Sequence, residues 1–93
     1  MIKEINPSSI EDLESILAHT NGQTTIFFTK CSDLNTDFIA TIQWKDSTLI
    51  YEFGGHGIGT SSFHLKTISK VLEKILSDNK RFNSGANFHL KVE

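Results

Sequence analysis

Cysteine is all but missing from this chain. Cys31 is the only one, so no internal disulfide can form, and a reducing compartment such as the cytosol is the expected location. Long apolar runs are missing too. Nothing approaches the roughly 20 apolar residues that span a bilayer. The segment MIKEINPSS has no apolar stretch behind a basic one, so neither a secretory signal nor a membrane partner is expected. There is no excess of basic charge: the formal net charge is −2, which argues against direct binding of nucleic acid. Metal-ligand spacings are lacking as well. His19, His56, His64 and His89 form no H-x-x-x-H pair, and a single cysteine forms no C-x-x-C, so no metal or other cofactor is expected.

What is present suffices for one domain, residues 1–93. A chain of this length buries roughly 60–65% of its unfolded surface, enough for one modest core. Apolar residues at 38% and charged residues at 22% describe a globular rather than a disordered chain. Seven Phe, one Trp and one Tyr supply bulky core material.

Periodicity sketches the elements. Ser8 and Glu11 have capping-box spacing behind Pro7, and Ile10, Leu13, Ile16 and Leu17 form an apolar stripe, which predicts a helix ending near Thr20-Asn21-Gly22. Thr24–Lys30 is β-rich, and its consecutive Phe27 and Phe28 predict a strand covered on both faces. Phe38, Ala40, Ile42 and Trp44 alternate with polar or smaller neighbours, as do Leu49, Tyr51 and Phe53. With Asp46-Ser47 as the turn, residues 38–53 read as a β-hairpin. A second amphipathic helix is expected at Leu65–Asn79, and a last strand at Ala86–Val92. The order α-β-β-β-α-β predicts an α+β two-layer sandwich: a four-stranded, mainly antiparallel sheet with two helices.

Few residues point to chemistry. Gly54-Gly55-His56-Gly57-Ile58-Gly59 lies between a strand and a helix, as phosphate loops do. It matches neither G-x-G-x-x-G nor G-x-x-x-x-G-K-[ST], and no βαβ unit surrounds it. Its amides could form an anion nest. The ordinary reading is a connection with positive φ, and a third is a recognition loop that lets a partner's backbone approach. Cys31 and a distant His could pair as nucleophile and base, but nothing marks Cys31 as activated. His19 suits a helix C-terminus, and Trp44 suits the core. No catalytic residues are assigned, and the chain is not expected to be an enzyme.

Charge is unevenly distributed. Residues 1–52 hold eight acids and three lysines, for −5, while residues 53–93 hold three acids and six bases, for +3. Such asymmetry is ordinary for a solvated surface, and it also suits an acidic face that meets a basic partner. Asp33, Asp37, Asp46 and Glu52 are the candidate acidic contacts, with Gly55 and His56 from the glycine segment beside them.

The segment Leu49-Ile50-Tyr51-Glu52-Phe53-Gly54-Gly55-His56-Gly57, the helix after it and the short final strand resemble a family of bacterial immunity proteins. That family is the first one described in polymorphic toxin systems, often encoded beside deaminase toxins. The stripe Glu11-Asp12-Leu13-Glu14 is similar to the acid-and-leucine stripe of its first helix. The resemblance implies a cytosolic protein that binds a cognate toxin domain and blocks its active site; exposed strand edges leave self-pairing open, so a monomer or weak homodimer is expected. The toxin would be one that targets nucleic acid, such as a deaminase or nuclease. The alternative is another small protein-binding module, such as a phage-encoded inhibitor of a host defence protein.

Overall fold

A computed structural model describes residues 2–28, 38–55, 57 and 59–92. Its elements are β1 (Ile2–Ile5), α1 (Glu11–His19), β2 (Thr24–Phe27), β3 (Phe38–Lys45), β4 (Thr48–Gly55), β5 (Gly59–Leu65), α2 (Ile68–Asn83) and β6 (Phe88–Val92). The strands form one six-stranded sheet in the order β1-β6-β2-β3-β4-β5, antiparallel at every pairing. The protein is α+β with two helices, but the expected four-stranded sheet and the order α-β-β-β-α-β are wrong.

The two strands that the sequence did not announce are the two edges. In β1 only Ile5 is buried, so four residues carry no alternation to detect. In β5 only Phe63 and Leu65 are apolar, and Gly-Thr-Ser-Ser reads as loop. Edge strands bury little, so the hydrophobic period that marks an inner strand is absent from them.

The inner elements follow their patterns. Asp46 and Ser47 take φ of 50° and 65°, the double left-handed conformation of a tight hairpin turn, and β3 pairs with β4 from Lys45↔Thr48 to Phe38↔Gly55. α2 begins at Ile68 rather than Leu65. Thr67 accepts the Lys70 N–H on its Oγ1 at 3.2 Å, and Leu65 belongs to β5. α1 begins at Glu11 without the expected capping box. Ser8 N–H instead donates to Asn6 Oδ1 at 2.8 Å in the turn leaving β1, and Ser9 Oγ donates to Glu11 Oε2 at 3.1 Å.

Both helices cover the same face. Leu13 and Leu17 of α1 and Val71, Leu72 and Ile75 of α2 share one buried cluster with Ile26, Phe28, Ala40, Ile42, Leu49, Tyr51, Phe53, Phe88 and Leu90. Trp44 packs at its border and donates its indole N–H to the Leu17 carbonyl at 3.3 Å. The opposite face carries Thr25, Thr41, Glu52 and Ser62 in one cross-strand row, and His89, Phe27 and Ile39 in the next. Phe27 is nonetheless buried there, so both consecutive phenylalanines are covered as their sequence predicts. Among the described residues, no helix is long and apolar enough to cross a membrane.

Candidate functional site

A cleft of about 270 Å³ lies between the edge strand β5 and α2, lined by Phe53, Gly59, Ser61, Phe63, Lys74, Asp78, Arg81 and Phe82. Helical periodicity builds one wall. Lys74, Asp78 and Arg81 are spaced i, i+4 and i+7, which puts them on one stripe of α2 facing the sheet's rim. Strand alternation builds the other. Gly59, Ser61 and Phe63 share the helix-facing side of β5, and Ser61 and Phe63 pair with Phe53 and Tyr51 of β4.

Three aromatic rings line this cleft. Phe53 and Phe82 lie 5.0 Å apart between centroids, and Phe82 is also 5.0 Å from Phe38. Two cations rest on these rings. Lys74 Nζ stands 4.0 Å from the Phe63 centroid, and the Arg81 guanidinium 4.9 Å from that of Phe82. Each contact stabilises by about 0.5–1 kcal/mol at a partly solvated site. Neither cation forms an ion pair among the described residues, so both charges face the cleft without a carboxylate partner.

The one carboxylate in the lining is engaged elsewhere. Asp78 is buried, and its Oδ2 accepts the Tyr51 hydroxyl at 2.7 Å. Burial, the hydrogen bond and the nearby negative charge all push the Tyr51 phenol far above its ordinary range. Tyr51 therefore stays protonated and keeps donating to Asp78, which offsets the cost of burying a carboxylate. The cleft can thus receive a group with an apolar body and negative charge. Acid–base chemistry at Ser61 finds no support from His64, which lies on the opposite face of β5.

The residues singled out by sequence do not meet here. Asp33, Asp37 and His56 lie outside the described residues, as does Cys31. Asp46 occupies the exposed β3–β4 turn, and Glu52 is exposed on the side of the sheet away from the helices, opposite Thr41 and Ser62. Gly55 ends β4, paired with Phe38 and Gly59. At a strand rise of about 3.3 Å per residue, Asp46 and Glu52 are roughly 15 Å apart.

The glycine segment joins β4 to β5 and not to a helix, so it lacks the strand-to-helix context of a phosphate loop. Gly57 and Gly59 have φ of 83° and 71°, in keeping with a connection that needs positive φ. A Cβ on Gly54 would come within 2.9 Å of Thr60 Oγ1 and 3.2 Å of the Gly59 carbonyl oxygen, so a side chain there would crowd the β4–β5 pairing. Sequence reasoning missed Lys74, Asp78, Arg81 and Phe82. An acid spaced i+4 from one cation and i−3 from another, Asp78 between Lys74 and Arg81, was the available signal.

Compared with family models, curated proteins and solved structures, the chain matches none. The layout behind the family resemblance runs from the glycine exit into a helix, whereas here β5 intervenes.

Proposed function

We propose that this chain is a protein-binding inhibitor: an immunity protein that binds a cognate bacterial toxin domain in the cytosol and covers its active site. The observation that carries the binding part is the contrast between the sheet's two edges. β1 is four residues long and charged, with Lys3 tied to Asp12 at 3.0 Å. β5 is seven residues long and holds no acid, lysine, arginine or proline. Edge strands ordinarily carry such features to prevent pairing with other chains. Their omission beside an aromatic cleft suits a surface meant to be joined, because aromatic residues and arginine are enriched where proteins meet.

The resemblance narrows the partner to a toxin. The acids of the first half, among them Glu11, Asp12, Glu14, Asp46 and Glu52, suit the basic cleft of a toxin that acts on nucleic acid, and would speed association. The test pairs identification with rescue. The tagged chain captures a partner from its native cells, and that partner's toxin domain is then expressed alone and together with the chain. Growth arrest by the domain alone and recovery on co-expression is the expected result. Arrest that persists while the two proteins bind overturns the inhibitor reading.

A further inference from the structure

We infer that the groove between β5 and α2 takes an extended segment of the partner, added as a seventh strand, whose groove-facing side chains set an apolar group between carboxylates. The inference rests on the inhibitor reading in taking the partner to be a protein. β5 ends the sheet, so alternate residues turn their backbone N–H and C=O groups outward along this edge. A strand added there lies about 4.8 Å further out, and every second side chain falls on the helix side, in line with Ser61 and Phe63.

Size and charge then name the occupant. A cleft of about 270 Å³ is below the roughly 300–1,000 Å³ typical of small-molecule sites and suits one or two side chains. Phe53, Phe63 and Phe82 favour an apolar or aromatic one. Lys74 and Arg81, both without ion-pair partners among the described residues, favour acids flanking it. A second copy of this chain fits less well. Antiparallel pairing of two β5 strands leaves both helical layers on one side and turns the two Lys74–Arg81 rims towards each other, like charge against like.

The probe is the capped hexapeptide DTFTET, whose Asp, Phe and Glu share one face when extended. It is titrated into the isotopically labelled full chain and followed by NMR. Shifts confined to Gly59–Leu65 and the adjoining face of α2 are expected. The charge-inverted peptide KTFTKT should bind roughly tenfold more weakly or worse. A DTFTET methylated on alternate amide nitrogens should lose binding, because it cannot complete the strand. The Lys74→Glu/Arg81→Glu variant should reverse the preference between the two charged peptides; were it to unfold, the peptide series on the native chain carries the same test.

Equal binding of both charge forms, shifts that avoid β5, or no binding at millimolar peptide overturns the proposal. So does a β5-mediated dimer in sedimentation. The inhibitor reading fails separately. Peptide binding with no toxin neutralised sinks that reading and leaves the groove standing. A double variant that loses the peptide yet still neutralises the toxin removes the groove as the contact and leaves the inhibitor standing.

Discussion

Tyr51 donates to Asp78 from a fully buried position, and the pair ties the centre of β4 to the flank of α2 at 2.7 Å. Replacing Tyr51 with Phe leaves the Asp78 carboxylate buried without this donor, and should cost about 1–3 kcal/mol in denaturant unfolding. The pH dependence follows from the raised phenol. An unfolded tyrosine ionises near pH 10, whereas the folded one holds its proton well beyond that. Above about pH 10 the unfolded state therefore binds fewer protons, and this group's contribution, complete below that pH, is lost as pH rises. Tyr51→Phe should flatten that part of the alkaline stability profile. Because Tyr51 is the only tyrosine, phenolate absorbance reads it alone, and should be withheld until the chain unfolds. Native-state titration near pH 10 would refute the buried hydrogen bond. The sequence showed Tyr51 as an alternating core position; its partnership with a residue 27 positions away was not legible.

At the scale of elements, the β3–β4 turn and the start of α2 offer clean tests. Ser47 adopts φ of 65°, where a side chain is disfavoured by about 1–2 kcal/mol. Ser47→Gly should recover about 1 kcal/mol after glycine's entropic cost, read as a raised midpoint in thermal unfolding. A fall in that midpoint would contradict the left-handed turn. Thr67→Ala removes the acceptor for the Lys70 N–H and should cost about 1 kcal/mol, whereas Ser8→Ala should cost far less, because Ser8's side chain caps no helix. Sequence located the hairpin closely, since both of its strands alternate and its turn is two residues long. It misplaced the start of α2 by three residues, because Leu65 fits a helical stripe and a strand equally well. The capping-box spacing at Ser8 and Glu11 misled because Asn6 captures the Ser8 amide first.

At the scale of the molecule, two helices share one face of the sheet, with unlike edges at either side. Hydrogen exchange should therefore fall into tiers. Amides of β2, β3, β4 and β6, each flanked by two strands, should exchange slowest, and those of β1 and β5 fastest. A bound partner should slow β5 and leave β1 unchanged; protection of β1 alone would place the contact on the wrong edge. Leu13→Ala and Ile75→Ala, one from each helix, should each cost about 2–5 kcal/mol, because both side chains lie fully buried in the same cluster. If either substitution left chemical denaturation unchanged, its helix would not be docked on that shared core.

The sequence by itself determined what local chemistry controls: two amphipathic helices, the alternating strands with their two-residue turn, the absence of metal-ligand spacing and the lean acidic charge. These are legible because a hydrophobic period records which face an element buries. Only the tertiary structure decided the sheet's width and order, since edge strands such as Gly59–Leu65 bury too little to leave a period. It alone decided the cleft, because Phe53, Phe63, Lys74, Asp78 and Arg81 come from three elements and meet only when α2 crosses the rim of the sheet. It also separated Asp46 from Glu52, two acids six residues apart that sit at the turn and mid-strand of an extended ribbon.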